Sequence, residues 1–157
     1  MPRPRLRRFT CLALSLCAVL TLGACDSDSQ DIAARNAELF EDGVAKDTEG
    51  GAFRVVLSSR DGLEVGENSL VARVGFHDAH DPEDPGVGIP GADVQLDAYM
   101  ADGSGVVSDL RGQYLGDGRY EIIGLELSEP GIWRFELSIA VGATIDESVA
   151  FVFSVPD

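Results

Sequence analysis

Cysteine is scarce in this 157-residue chain and is confined to one end of it. All three cysteines, Cys11, Cys17 and Cys25, lie within the first 25 residues. The rest of the chain therefore has no pair of thiols for an internal disulfide and no thiol nucleophile. A domain built from it must be held together by its hydrophobic core alone.

Basic residues are the second shortage. The chain has 12 Lys and Arg against 27 Asp and Glu. Four of the 12 stand at the start, as Arg3, Arg5, Arg7 and Arg8, so the chain after residue 24 keeps 8 basic residues and a formal net charge of −19. Nucleic acid as a partner is excluded, because phosphate binding requires a basic surface. Adsorption of the protein surface to anionic lipid is disfavoured for the same reason.

Catalytic motifs are also missing. The sequence has no GxSxG elbow, no HExxH, no EF-hand spacing and no phosphate-binding glycine loop, and the two histidines fit no triad order. We therefore predict that the protein is not an enzyme. Asp93 and Asp97 share one face of a predicted strand, but paired carboxylates of this kind usually serve solvation, and a small sandwich offers little substrate cleft.

The N-terminus has the pattern of a secretory signal. Four arginines precede an apolar run, Cys11 to Leu22, which is shorter than the roughly 20 residues needed to span a membrane. This pattern predicts a signal peptide over residues 1–24. The alternative, a buried N-terminal helix, lacks a matching apolar surface elsewhere in the chain.

The end of this segment, Leu22-Gly23-Ala24-Cys25, resembles the bacterial lipobox. The resemblance implies that Cys25 is lipidated on sulfur, with palmitate-type acyl chains, and becomes the first residue of the mature protein. The protein would then be extracytoplasmic, with the membrane as a partner through its lipid anchor. Asp26 resembles a signal for retention at the inner membrane, and the choice between inner and outer membrane stays open.

The next stretch, residues 25–52, is polar, acidic and rich in glycine at its end, which predicts a flexible tether. Within it, the apolar residues between Asp31 and Asp42 are compatible with a short helix. From Phe53 the apolar residues alternate with polar ones, and turn residues interrupt the pattern at short intervals. Residues 53–157 are therefore predicted to be the folded domain.

The alternation predicts about seven strands and no helix, which is typical of an all-β, immunoglobulin-like antiparallel sandwich. An up-and-down barrel is the competing interpretation, and uneven loop lengths favour the sandwich. The predicted inward residues include Phe76 and Met100 at strand ends, and the segment from Val106 to Leu115 is predicted to be an edge broken by Gly112.

The strongest strand pattern is Gly116 to Ile139, GDGRYEIIGLELSEPGIWRFELSI. Pro130-Gly131 predicts a type II turn between its two halves. Tyr120 is a candidate for a tyrosine corner, in which the hydroxyl bonds to nearby backbone. Trp133 falls on the inward pattern and is predicted to be a core residue.

Five fragments in order carry a family resemblance: Leu63-Glu64-Val65-Gly66-Glu67-Asn68, Gly91-Ala92-Asp93-Val94, Met100, Gly116-Asp117-Gly118-Arg119-Tyr120 and Pro130-Gly131-Ile132-Trp133. Together they resemble the YtkA-like domain, an extracytoplasmic sandwich related to the FixH proteins. This resemblance implies a link to copper handling, and Met100 matches the family's first methionine position. No second methionine and no histidine follow it in residues 101–105, and one thioether cannot form a selective copper site.

The richest group of metal donors is HDAHDPED, residues 77–84. His77, His80, Asp81 and Asp84 are candidate ligands for zinc, copper or another divalent cation, and no other cofactor is predicted. A solvated acidic loop is the interpretation that the sequence favours over a metal site. We expect this loop and Met100 to lie at opposite poles if the strands that flank the loop pair as a hairpin.

Two functions remain from the sequence. The first is a non-catalytic interaction module of the cell envelope, which binds an envelope protein partner through a sheet edge or a polar loop. The alternative is an envelope accessory protein that handles copper or another metal.

Overall fold

The computed structural model describes residues 38–77, 80, 86–143 and 145–157, with side chains from residue 40 onward. The predicted signal peptide and lipobox lie outside the described residues. In the part that is described, no helix is long and apolar enough to cross a membrane.

The described chain forms ten strands in two sheets. In chain order they are β1 (Glu38–Leu39), β2 (Val44–Asp47), β3 (Phe53–Ser58), β4 (Gly66–Phe76), β5 (Asp93–Met100), β6 (Val107–Arg111), β7 (Gln113–Gly116), β8 (Arg119–Leu127), β9 (Gly131–Val141) and β10 (Ile145–Val155). Sheet A has the order β1-β10-β9-β5-β6 and sheet B the order β2-β3-β4-β8-β7. Every pairing is antiparallel except that of β1 with β10.

This architecture confirms the predicted all-β, immunoglobulin-like sandwich. The strand count was low for two reasons. The weak segment around Gly112 forms two strands, β6 and β7, which belong to different sheets. Two further strands, β1 and β2, lie before Phe53, inside the stretch predicted to be a tether.

The predicted boundary between tether and domain at residues 52 and 53 was therefore wrong. Strand β2 pairs with β3 from Val44 opposite Leu57 to Asp47 opposite Arg54. The strand was missed because it is short and half polar, which is how edge strands are often built. The short helix predicted between Asp31 and Asp42 was also wrong at two of its described residues, since Glu38 and Leu39 are in a strand.

The core lies between the sheets and consists of the inward residues of the alternating strands. Phe53, Leu70, Leu96, Tyr120 and Trp133 are among the side chains that are fully buried. Phe76 is an exception to the predicted inward set because it is 52% exposed. It is the last residue of β4, so it lies at the rim of the sandwich, where its ring contacts Phe53 at a centroid distance of 6.0 Å.

Tyr120 ties the buried end of β8 to the connection between β4 and β5. Its hydroxyl donates to the carbonyl oxygen of Ile89 at 2.7 Å and accepts from the amide of Ala92 at 2.9 Å. The hydroxyl therefore bonds to backbone, as predicted, but to a segment about 30 residues upstream. In the tyrosine corner of immunoglobulin domains the partner is only a few residues away. Burial raises the pKa of Tyr120.

The Pro130-Gly131 turn differs from the prediction. Strands β8 and β9 lie in different sheets, so the turn carries the chain across the sandwich instead of closing a hairpin. Gly131 has φ of +143°, whereas the third position of a type II turn has φ near +80°. A Cβ on Gly131 would lie 2.7 Å from the terminal methyl group of Met100, so glycine leaves space for that side chain.

The two lateral sides of the sandwich are built differently. At the side where β2 lies beside β10, the Thr48 hydroxyl donates to the carboxylate of Glu147, and the amide of Glu49 donates to the carbonyl of Ser148 at 2.9 Å. The ammonium of Lys46 lies 5.2 Å from the ring centroid of Phe151. These contacts close that side. At the opposite side the chain passes from β6 to β7 at Gly112, where a Cβ would lie 2.9 Å from the Cβ of Tyr120.

Candidate functional site

The predicted histidine site is only partly within the described residues. His77 follows β4 directly, and its Nδ1 lies 3.0 Å from Oδ1 of Asp47. His80 is exposed, and Asp81 and Asp84 lie outside the described residues. The structure thus places His77 beside Asp47, a partner that sequence reasoning did not predict.

Asp47 also binds a buried arginine. Arg54 is 8% exposed, and its Nε and Nη2 donate to the two carboxylate oxygens of Asp47 at 2.7 and 2.9 Å. The hydrogen bond from Arg54 is the largest influence on the pKa of Asp47 and holds it below its usual value, with a further lowering by His77. This cluster connects edge strand β2 to β3 and to the end of β4.

The Asp47 cluster makes stability depend on pH in a definite direction. The pKa of Asp47 is lower in the folded state than the value of about 4 in the unfolded chain. The contribution of Asp47 to the free energy of unfolding is therefore complete above pH 4 and is lost as pH falls through the folded-state pKa. We expect Asp47→Asn to destabilise the protein at pH 7. The difference in free energy of unfolding between the variant and the wild type should narrow as pH falls below about 4.

Urea unfolding of both proteins between pH 7 and pH 2.5 measures this difference. Asp146→Asn is the matched control, because Asp146 is exposed on β10 and takes part in no ion pair within the described residues. A difference for Asp47→Asn that stays constant across this pH range would contradict the prediction.

Met100 lies far from His77 along the fold. The flanking strands β4 and β5 belong to different sheets, so they do not pair as a hairpin. Strand β5 nevertheless runs from Asp93, after the loop that begins at His77, to Met100, and its seven residue steps span about 23 Å. Met100 is half-buried, pairs with Trp133 across the ladder, and has its sulfur 3.5 Å from the Ser104 hydroxyl. Its surroundings are those of a packing residue.

A groove lies on the outer face of sheet B. Its volume is about 580 Å³, and it runs between β4 and β8 beside the loop that precedes β4. Its lining includes five carboxylates and two apolar side chains, Asp42, Asp61, Glu64, Glu67, Glu121, Val71 and Ile123. We name this feature the β4–β8 groove.

Asn68 fixes one wall of the β4–β8 groove. It is 7% exposed, its amide nitrogen donates to the carbonyls of Glu64 and Gly66, both at 2.8 Å, and its oxygen accepts from the amide of Glu64 at 3.1 Å. All of its main hydrogen-bonding capacity is therefore used inside the loop. The segment from Leu63 to Asn68, noted in the sequence for its family resemblance, is thus a rigid rim.

The outer face of sheet A has a different character, because two of its arginines are paired with carboxylates of the same face. Arg111 Nη1 lies 2.7 Å from Asp93, and Arg134 Nε lies 2.7 Å from Glu136. The Tyr99 hydroxyl also donates to Glu136 at 2.8 Å. The hydrogen bond from Arg134 is the main reason that the pKa of Glu136 is lowered. Arg111 and Arg134 are thus each neutralised by a carboxylate of the same face.

Apolar side chains are exposed along the edge made by β6 and β7. Val106, Tyr114 and Leu115 are all exposed, and the Tyr114 ring lies 5.2 Å from the ring of Tyr120. Strands β6 and β7 are the outermost strands of their sheets, and each pairs on one side only among the described residues. We name this feature the β6–β7 edge.

Within the described residues, no group of three or more His, Cys, Asp or Glu is arranged to hold a metal ion. The four predicted ligands cannot be compared as a set, since two of them lie outside those residues, and the metal site stays a prediction. The comparisons with other proteins give no match to a family model, to a curated protein or to a solved structure. The resemblance to the YtkA-like domain likewise stays a prediction.

Proposed function

We propose that this chain is a lipid-anchored protein of the extracytoplasmic side of the membrane, whose sandwich binds another envelope protein and has no catalytic role. The observation that carries the proposal is the β6–β7 edge, where apolar side chains are exposed beside two outermost strands that each pair on one side only in the described part of the chain. The anchor at Cys25 rests on the lipobox resemblance.

Such an edge supports a protein partner for two physical reasons. Unpaired N–H and C=O groups of an outermost strand can accept a further strand from another chain. Tyrosine beside aliphatic residues is common at protein interfaces, because the ring buries a large area and its hydroxyl tolerates water. On the other side β2 is also an outermost strand, but Thr48 and Lys46 bond to Glu147 and Ala150 of β10, so we expect binding at the β6–β7 edge.

A photo-crosslinking residue at Leu115 tests the partner. We expect a discrete adduct with one envelope protein when the variant is irradiated in intact cells of the source bacterium. The same residue at Ser138, which is exposed on the outer face of sheet A, should give no such adduct. Equal adducts from both positions, or none from Leu115, would refute the β6–β7 edge as the binding surface.

Cys25→Ala tests the anchor separately. We expect loss of acylation, measured by incorporation of labelled palmitate, and loss of the Leu115 adduct because the chain is no longer matured at the membrane surface. Unchanged acylation in this variant would disprove the lipoprotein assignment whatever the outcome of the crosslinking.

A further inference from the structure

We infer that the β4–β8 groove binds an extended protein segment with basic residues at positions i and i+4 and an apolar residue at i+2. The inference deepens the proposed function, on which it rests, by stating the chemistry of the partner. It draws on the cavity, its apolar floor and its charges, which are separate from the β6–β7 edge.

Ile123 supplies the apolar floor and lies beside a bulge in β8. The register between β4 and β8 shifts between Asn68 and Leu70, where Gly124 has φ of +78°. An extra residue at a bulge re-aims the neighbouring side chains. The bulge at Gly124 turns Leu125 into the core, while Ile123 lies on the outer face at 63% exposure by the ordinary alternation after Ile122, beside the half-buried Val71 of the facing strand. An exposed isoleucine in a concave surface favours an apolar contact from a partner.

The charges of the groove are not neutralised from within. Among the described residues, Asp61, Glu64, Glu67 and Glu121 take part in no ion pair. Arg60 is the one cationic residue of the lining. The outer face of sheet A shows that this protein can pair its surface carboxylates when both partners are present. The groove therefore keeps a negative potential that a cationic partner would complement.

The spacing of the carboxylates selects an extended segment over a single ion. The groove carboxylates do not converge as a metal-binding group, so the positive charges of a ligand must be spread along its length. Glu67 and Val71 are four residues apart on β4, about 13 Å, and Glu121 lies directly opposite Val71. In an extended chain, residues i and i+4 are separated by the same distance and point to the same side. A lysine or arginine at each of these positions reaches Glu67 and Glu121, and the side chain at i+2 reaches Ile123.

Titration with a synthetic peptide tests the inference. The probe is the capped peptide Ser-Lys-Ser-Val-Ser-Lys-Ser-Val-Ser-Lys-Ser, added to the full chain carrying Cys25→Ala in neutral detergent, with backbone amide NMR shifts as the readout. We expect saturable shifts at Ser69, Val71 and Ile123, with Kd on the order of 0.1 to 1 mM for so short a ligand. The same peptide with serine in place of both valines should bind at least threefold more weakly.

Two double variants with the same change of net charge separate the groove from the general acidity of the protein. Glu67→Gln with Glu121→Gln should weaken binding at least fivefold. Glu129→Gln with Asp146→Asn, at exposed positions away from the groove, should change it less than twofold.

Equal weakening by both variants, or equal binding of the serine peptide, would overturn the inference, as would shifts confined to the β6–β7 edge. None of these results bears on the Leu115 adduct, so failure of the groove and failure of the proposed function are distinguishable.

Discussion

Trp133→Ala is expected to lower the free energy of unfolding by about 3 to 5 kcal/mol, the range for removal of a large aromatic side chain from a core. Trp133 is fully buried, and among the described residues it is the fully buried side chain with the largest volume. Its indole Nε1 donates to the carbonyl of Glu129 at 3.0 Å, so the substitution also leaves that carbonyl without its partner. A Cβ on Gly105 would lie 2.7 Å from the indole ring, which shows how closely the loop from residue 101 to 105 packs against it.

Urea unfolding followed by circular dichroism measures this loss, because the substitution removes the only tryptophan of the chain as a fluorescent probe. Leu115→Ala is the control, and we expect it to change stability by less than about 0.5 kcal/mol because the side chain is exposed. Trp133→Phe should fall between the two. A loss below about 1.5 kcal/mol for Trp133→Ala would show that the indole is not a central element of the core.

The strands that could be predicted from sequence are those with one buried face. Phe53, Val55 and Leu57 alternate with other residues, and period-two alternation needs no knowledge of which strands are neighbours. The same logic placed Trp133 in the core. It failed for Phe76, because burial at the last residue of a strand depends on what faces it across the sandwich and not on the pattern of its own strand.

Edge strands and strand changes were harder to predict. Strand β2 is half polar because one of its neighbours is solvent, so its composition is that of a loop. The break at Gly112 was visible, but only the fold shows its reason: the chain changes sheets there, so close to Val94 and Tyr120 that a Cβ would collide with them. A glycine that interrupts a weak edge pattern is thus a signal for a strand that changes sheets.

The candidate sites depend on residues that are far apart in sequence, and this is why most of them were missed. His77 meets Asp47 only because β2, β3 and β4 are adjacent in one sheet, and the two residues are 30 positions apart. The β4–β8 groove needs the register of two strands and the direction of a bulge. The phase break at Gly124 could be seen in the sequence, but its position opposite Asn68 and Leu70 of β4 could not.

Gly118→Ala is expected to cost about 2 to 5 kcal/mol, because a positive φ and a backbone collision act together. Gly118 has φ of +68°, and a Cβ there would lie 2.4 Å from the carbonyl oxygen of Val74 and 2.6 Å from the Cα of Gly88. The amide of Val74 donates to the carbonyl of Gly118 at 2.8 Å, and the amide of Ile89 donates to the carbonyl of Val74 at 3.0 Å. Two backbone segments therefore meet β4 at one point, with no room for a side chain between them.

Two further substitutions separate the effects of backbone angle and collision. Gly142→Ala has nearly the same φ, +62°, but no atom within 4 Å of the added Cβ, so it should cost only about 1 kcal/mol. Gly88→Ala would bring a Cβ to 2.5 Å from the backbone of Asp117 and is expected to destabilise nearly as strongly as Gly118→Ala. Urea unfolding of the three variants ranks them, and equal costs for Gly118→Ala and Gly142→Ala would contradict the collision. If the predicted order holds, the contact between Gly88 and Gly118 fixes the C-terminal part of the connection between β4 and β5 to β4. This connection is then held at both ends, at His77 by the Asp47 cluster and at Gly88 by the glycine pair.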